Sequence, residues 1–259
     1  MTYLNKKTKI SVITAVKNGE KYIKNTIESV LSQKGDFELE YIIRDGNSTD
    51  NTLNILNSYK DKLIVISKQD GSPQEAINEG LKMATGEISC WLNADDIFLP
   101  GTLQRVLTQF EKNKNTNWLY GRCKIIDSDG AEIRKPITIY KNIIGFFYSK
   151  NVLLFENYIN QPSVFWRTDF LKQIPWALDK KYKAAWDYEL WLKMAECSRA
   201  THVREYLSCF RRTEGTISEC NFEKQFQEEL SIAINHGNKI HAFIHHYLIK
   251  LRTYIYKLM

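Results

Sequence analysis

A chain of 259 residues with 43% hydrophobic and 12% aromatic residues can bury one large core, which excludes wholesale disorder. Its formal charge of +6 is not gathered into a Lys/Arg-rich run, so nucleic acid ranks below phosphorylated substrates and anionic lipid as its counterpart. The cysteines Cys90, Cys123, Cys197, Cys209 and Cys220 are scattered and form no Cys-x-x-Cys, which argues against a disulfide framework or zinc site and predicts a reducing, cytoplasmic setting. The opening MTYLNKKTK lacks the apolar stretch of a secretory signal, and no run of about 18 apolar residues follows that would span a bilayer. Residues 10–15 (ISVITA) read as a short β-branched strand, and 22–31 as a helix with Ile23, Ile27, Val30 and Leu31 on one face. A second strand at 39–43 ends in Arg44-Asp45-Gly46; a helix at 49–59 and a strand at 63–66 follow. Ser72 then opens a helix as its cap, with Pro73 first inside it, Glu75 completing a capping box and Gly86 as the stop. The fourth strand, 88–92, runs into Asn93-Ala94-Asp95-Asp96, and Pro100 starts a helix that reaches Phe110. From Trp118 the pattern changes: 118–126 and 132–135 read as strands about the turn Ser128-Asp129-Gly130, and 140–160 as aromatic and irregular. A strand at 163–167, a helix at 186–196, a strand-rich stretch at 200–211 and a long helical pattern from Phe222 complete the chain.

Strands alternating with helices, with apolar strands, predict an α/β fold: a Rossmann-like, mostly parallel sheet flanked by helices. Such sheets bind ligands beyond the carboxyl ends of their strands. The polar residues at those ends are Thr14, Asn18, Asp45, Asp70, Asp95 and Asp96. A single Asp after a strand is commonly a turn residue or helix cap; its repetition strand after strand is what points to a site. Carboxylates converging on one edge repel unless a cation sits among them, and Mg2+ or Mn2+ takes oxygen ligands and shares them with substrate phosphates. After the first strand stands Val16-Lys17-Asn18-Gly19, neither a GxGxxG turn nor a P-loop. A diphosphate at this edge is therefore expected to be neutralised by metal rather than cradled by glycines, with Asp70 among the donor contacts.

The segments SVITAVKNGEKYIKNTIESVLSQ, YIIRDGNSTDNT, DGSPQEAINEGLKMATGEISCWLNADD and AAWDYELWLKMA, in that order, resemble the family-2 inverting glycosyltransferases, which have the GT-A fold. The resemblance covers residues 10–110 strongly and 160–218 more weakly. It implies a GT-A domain over 1–220, with a nucleotide-sugar-binding half (1–115) and an acceptor-binding half (116–220), followed by a helical tail (221–259). It places Thr14 and Asn18 near the nucleotide and Asp45 on the nucleobase. Asp95 falls towards the ribose and the metal, Asp96 on metal and diphosphate, and Asp187 at the catalytic base. The chain departs from the pattern at Asn93, where a strict Asp-x-Asp has its first acid, at Lys17, where a Tyr is frequent, and at Thr213, where a His often stands.

Asp187 also has a physical argument. Leu190, Trp191 and Met194 follow it at three, four and seven residues, so it lies along the buried face of an amphipathic helix. A helix N-terminus favours its ionised form, which a base requires. On the acceptor side, Gln161 resembles a position lining the cleft, and Trp186 is read either as a sugar-stacking ring or as core. Residues 140–158 read as a mobile loop or a membrane-facing segment.

From His236 onward the chain has no acids but carries Lys239, Lys250, Arg252 and Lys257, with Ile240, Phe243, Ile244, Tyr247, Leu248, Leu251, Ile255 and Leu258 at helical spacing. This reads either as an interfacial anchor on an anionic membrane or as a helix docked on the domain or a partner. His241 and His245 are four apart, with no third zinc ligand evident. The expected function is transfer of a sugar from a nucleoside-diphosphate donor, a UDP-sugar first, to a saccharide or lipid-linked acceptor in surface-polysaccharide or lipopolysaccharide synthesis. The expected place is the cytoplasm, at the inner face of the cell membrane. The competing reading is a non-catalytic nucleotide-sugar-binding or scaffold protein, which would have no need of Asp187. A nucleotidyltransferase would want a phosphate loop after the first strand. Oligomerisation is left open.

Overall fold

The computed structural model describes residues 7–175, 178, 180–212 and 222–258. The first half builds β1 (Thr8–Val16), α1 (Ile23–Leu31), β2 (Phe37–Asp45), α2 (Thr52–Asn57), β3 (Ile64–Ser67), α3 (Pro73–Met83) and β4 (Ile88–Trp91). The second half adds β5 (Ile97–Phe98), α4 (Thr102–Lys112), β6 (Trp118–Ile126), β7 (Glu132–Ile133), α5 (Lys135–Ile144), α6 (Lys150–Phe155), β8 (Val164–Arg167) and α7 (Thr168–Gln173). It ends with α8 (Trp186–Cys197), β9 (Thr201–Arg211), α9 (Phe222–His236) and α10 (Lys239–Leu258).

Among the described residues these strands form one sheet in the order β3-β2-β1-β4-β8-β6-β9-β5, with β7 paired to β6. β1 lies between β2 and β4, parallel to both, with Val12 opposite Tyr41 on one side and Cys90 on the other. β8 is antiparallel to β4 and to β6, and β6 and β9 are parallel. The α/β architecture with a mostly parallel, helix-flanked sheet is thus as expected. Alternation along the strands divides the core. Val12, Ile43 and Cys90 face α1 and α4, while Ile13, Ile42 and Trp91 face α3 and α8.

Local chemistry accounts for the element boundaries. Ser72 caps α3 by accepting the Glu75 N–H at 3.3 Å, with Pro73 in the first turn. Inside α3, a Cβ at Gly80 would lie 2.6 Å from Ile13 Cγ2, so the helix can sit directly on β1 only with glycine there. The helix expected at 49–59 shortens to α2 because Thr49 and Asp50 are committed elsewhere: the Thr49 N–H donates to Asn18 Oδ1 at 2.8 Å and Asp50 Oδ1 accepts the Thr52 N–H at 3.0 Å.

Two expectations are corrected. The strand at 132–135 stops after Ile133, because Arg134 takes a left-handed conformation (φ 51°) and Pro136 suits the first turn of a helix. The stretch at 140–160 is not irregular: it holds the end of α5 and all of α6, the latter capped by the Ser149 hydroxyl on the Val152 N–H. Its aromatic side chains are divided between the core (Tyr148, Tyr158) and solvent (Tyr140, Phe147), which blurs the helical period in the sequence.

Candidate active site

The sheet edge beyond β4 is organised around the turn Asn93-Ala94-Asp95-Asp96. The Thr26 hydroxyl of α1 holds this turn from one side, bonded to Ala94 O at 2.9 Å and Asp96 O at 2.8 Å. Arg211 at the end of β9 holds it from the other. Its backbone N–H donates to Asp96 Oδ1 at 2.8 Å, its Nε to Asp95 O at 2.9 Å, and its Nη1 to Asp127 O and Ser128 O. Asn93 Nδ2 donates to the second Asp96 oxygen at 3.1 Å. Asp96 is fully buried and Asp95 half-buried. Burial pushes both carboxyl groups towards the protonated form; repulsion from Asp95 raises Asp96 further, and Arg211 only partly opposes this.

Two adjacent carboxylates short of positive charge are the donor set a hard divalent cation accepts, with substrate phosphates completing the shell. The residues present fit Mg2+ or Mn2+ in that sense. Among the described residues no group of three or more His, Cys, Asp or Glu side chains gathers as a complete metal cage.

The remaining donor-side residues occupy distinct places. Asn18 is exposed, with positive φ (53°), and its backbone and side chain bond Ser48 and Thr49 in the loop after β2. Asp45 is fully buried, and both its oxygens accept from the Ser48 N–H and from hydroxyls of Ser48 or Ser67. Thr14 is fully buried as well, its hydroxyl bonded to Leu92 O at 2.8 Å and near Tyr41 Oη at 3.1 Å, so it braces β1 against its neighbours rather than facing the open edge. Asp70 pairs with the buried Arg44 at 2.6 Å, and its second oxygen is buried with no protein partner.

A second set gathers around Trp91 at the end of β4. Gln161 is buried, and its Nε2 donates to Trp91 O at 2.8 Å. Trp186 is half-buried and stacks on Trp91 at 6.2 Å; Trp91 in turn stacks on Trp191 at 5.5 Å. One face of Trp186 continues a tryptophan stack that runs into the core, as the core reading expects, and the residue also lines a groove. That groove, of about 310 Å3, is bounded by Gly71, Pro73, Gln74, Lys183, Ala184 and Trp186, among others. Gln74 fixes its far wall by donating to Tyr182 O at 2.8 Å. A second cavity, of about 130 Å3, between Leu81, Ser89, Trp166 and Thr168 meets none of the expected site residues.

Asp187 is the second residue of α8, directly after the groove residue Trp186, and its Oδ1 accepts the Tyr188 N–H at 2.8 Å. Burial raises its carboxyl to about 6; the Tyr188 N–H opposes this and the nearby Glu229 adds to it. The helix terminus thus supports the ionised form less than desolvation opposes it.

The family model for glycosyl transferase family 2 matches residues 11–174. The chain belongs to that family. An uncharacterized glycosyltransferase of Methanocaldococcus jannaschii is 26% identical over 211 residues, covering 78% of this chain and 70% of the relative. One from Rickettsia felis is 28% identical over 201 residues, covering 71% of this chain and 31% of the relative, so the chain spans about a third of that protein. Two solved structures share the fold. S. aureus TarS 1–349 in complex with UDP-GlcNAc is 22% identical with a TM-score of 0.68, covering 86% of this chain and 66% of its own. The mannosyltransferase PcManGT from Pyrobaculum calidifontis, in complex with GDP-Man and Mn2+, is 17% identical with a TM-score of 0.69, covering 94% and 70%. The family-2 chain therefore has the GT-A fold.

In this family-2 chain Arg211 is the residue that sequence reasoning missed. It closes a strand rather than a recognisable motif, and only the pairing of β9 with β6 and β5 brings it to the acid turn. Thr213, noted for standing where a His is frequent, lies outside the described residues. His241 and His245 serve structure: His241 Nδ1 accepts the Asn238 N–H at 3.2 Å, and the buried His245 bonds Leu154 O at 2.8 Å.

Proposed function

We propose that this chain is an inverting glycosyltransferase that moves a sugar from a nucleoside-diphosphate donor, a UDP-sugar first, to a hydroxyl of a saccharide or lipid-linked acceptor. The observation that carries this reading is that the carboxylates fall into two differently tuned sites. Asp95 and Asp96 are adjacent buried acids at a turn held by Arg211, while Asp187 directly follows the groove residue Trp186 and has its carboxyl raised to about 6. The first suits cation and diphosphate; the second suits a general base, which works best when its pKa lies near the operating pH.

On the donor side, Asp95 and Asp96 would hold Mg2+ or Mn2+, with Asp95 also reaching the ribose. Bound there, the cation supplies the charge that stabilises the departing diphosphate. Asn18 and the Asp45 loop flank the nucleotide, and the unpartnered Asp70 oxygen awaits a donor group of the ligand. Asp187 deprotonates the acceptor hydroxyl as it attacks the anomeric carbon in line, with no covalent enzyme intermediate. Trp186 and Gln161 form the acceptor side. Relatives in fold bound to UDP-GlcNAc, or to GDP-Man with Mn2+, support the donor class.

The reading extends to location. No helix among the described residues is long and apolar enough to cross a membrane. Peripheral attachment through α10 at the cytoplasmic face, in a surface-polysaccharide or lipopolysaccharide pathway, is part of the proposal.

The test is twofold. UDP, GDP and dTDP are titrated with and without Mn2+, and Asp187→Asn is assayed with the donor sugar of the nucleotide that binds. Turnover is expected to fall about 100- to 10,000-fold with nucleotide affinity kept within about twofold. Near-normal turnover in Asp187→Asn removes it as the base, and failure of every nucleotide to bind overturns the whole reading.

A further inference from the structure

The helix that carries Asp187 starts without a cap of its own. Its N-cap residue is Ala185, whose side chain offers no acceptor. The opening N–H groups of a helix, and those of the turn leading into it, need partners from elsewhere. Those of the turn and of the N-cap Ala185 find them on α9. Glu228 Oε2 accepts from the N–H groups of Lys183 at 2.9 Å, Ala184 at 2.8 Å and Ala185 at 3.1 Å, and Oε1 accepts from Lys183 at 2.9 Å. Three consecutive amides converge on one carboxylate, and bonds to an ionised acceptor are roughly twice as strong as neutral ones. Lys183, Ala184 and Trp186 are wall residues of the groove, and Asp187 directly follows Trp186 on α8.

Glu228 is held still by its neighbour. Glu229, 1% exposed, bonds Arg252 Nη2 at 2.7 Å, Gln225 Nε2 at 3.1 Å and Asn157 Nδ2 at 3.3 Å. Arg252 on α10 also pairs with the buried Glu156 at 2.9 Å. α9 cannot slide or rotate without breaking this buried network, so the carboxylate next to it is a fixed point. The helices beyond residue 221 are thereby joined to the turn that leads into the base, by Glu228 on its amides and by Asn235 on the Tyr182 hydroxyl at 3.2 Å.

We propose that Glu228 is a positioning residue for Asp187: by gathering the amides of residues 183–185 it fixes both the groove wall and the start of the helix that carries the base. The proposal rests on the reading of Asp187 as the base. Glu228 itself touches neither donor nor acceptor.

The experiment uses the full chain with Glu228→Ala, Glu228→Gln and Asp187→Asn in parallel. Amide hydrogen exchange is followed at residues 183–185, UDP affinity is measured with Mn2+, and transfer is assayed from UDP-GlcNAc and GDP-mannose onto a panel of aryl glycosides. Glu228→Ala should speed exchange at 183–185 and lower kcat and acceptor kcat/KM by about 10- to 100-fold, with UDP affinity within about twofold of the parent. Glu228→Gln keeps an acceptor oxygen and should recover part of both losses; if the alanine variant does not fold, the glutamine variant must show the same two changes at smaller size. Unchanged exchange at 183–185 overturns the proposal, as does parental turnover in a folded Glu228→Ala, or a loss that UDP affinity shares equally. If Asp187→Asn remains active, the base assignment fails separately, and the exchange data still decide whether Glu228 holds the turn.

Discussion

Asp187 shows how two effects on one residue are weighed. Its place at a helix N-terminus favours the carboxylate, yet burial and the nearby Glu229 carry the group up to about 6. The proton-accepting form is then the major one at neutral pH and is lost as pH falls through that value. With Asp187 as base, kcat/KM should be level above about pH 7 and decline about tenfold per pH unit below about pH 5, with the bend near 6. A pH–rate profile with no bend between about pH 5 and 7 would speak against the assignment. The same shift bears on stability. The folded-state pKa lies above the ordinary value of 3.8, so the folded chain binds the proton more tightly than the unfolded one, and stability declines as pH rises from about 4 to about 6. Above that window the native state carries a cost on the order of 3 kcal/mol, which Asp187→Asn should relieve while keeping the bond from Tyr188 N–H. Denaturant melts at pH 8 should therefore find the inactive variant more stable than the parent, with the gain gone near pH 4. At this scale Asp45, Asp95 and Asp96 are legible in the sequence because each ends or follows a strand and breaks an apolar run, whereas Asp187 is picked out by its place on the apolar face of a helix and by the family resemblance. Arg211 is not, because its partners at Asp95, Asp96 and Asp127 are set by tertiary pairing alone.

Among the elements, apolar patterning exposes β1, β2, β4, α1, α3 and α4, and at α3 the Ser72 cap and Pro73 mark the start as well. It does not expose α5 and α6, whose aromatics serve both core and surface. It reports that α10 is amphipathic but not which apolar residues turn inward. His245 is buried against Leu154 and Arg252 reaches Glu156 and Glu229, while Ile240, Phe243, Tyr247 and Leu251 stay exposed. The basic character of α10 thus has an inner purpose as well. Burial pushes Glu229 up, but Arg252 and His245 outweigh it and keep its carboxyl below the ordinary range; Glu156, also raised by burial, is only partly brought back by Arg252. Arg252→Met would leave two carboxylates at 2% and 1% side-chain exposure without their cation. Removing one partner of such a buried pair costs about 3–5 kcal/mol, so urea unfolding should show a loss of that order, with Arg252→Lys recovering part of it. A loss below about 1 kcal/mol would mean that the cluster is open to solvent.

For the whole molecule, the sequence conveys the class of the sheet and the edge on which ligands gather, because strand–helix alternation and the placement of polar residues are both one-dimensional signals. Strand order is not one-dimensional: the insertion of antiparallel β8 between β4 and β6 depends on which faces pair. That insertion brings Gln161 to Trp91 and lets the later chain wrap back onto the acid turn. The docking of α10 on α6 has a further consequence for the molecule's surface. With the inward face taken, the outward face carries Ile240, Phe243, Tyr247 and Leu251 interleaved with the exposed Lys239, His246 and Lys250. Apolar residues that could have faced the domain instead face solvent beside cations, which suits the boundary between acyl chains and anionic headgroups. Each lysine adds about 1 kcal/mol near such a surface, a contribution that salt screens. The chain should therefore sediment with vesicles containing phosphatidylserine, less so with pure phosphatidylcholine, and less at about 0.5 M salt than at about 0.1 M. Phe243→Glu puts a charge at the centre of the apolar stripe without touching the Arg252 cluster, so it should release the protein from vesicles and leave its unfolding midpoint unchanged. Failure to bind anionic vesicles at low salt would remove the membrane from the proposal and leave α10 as a brace for the domain alone.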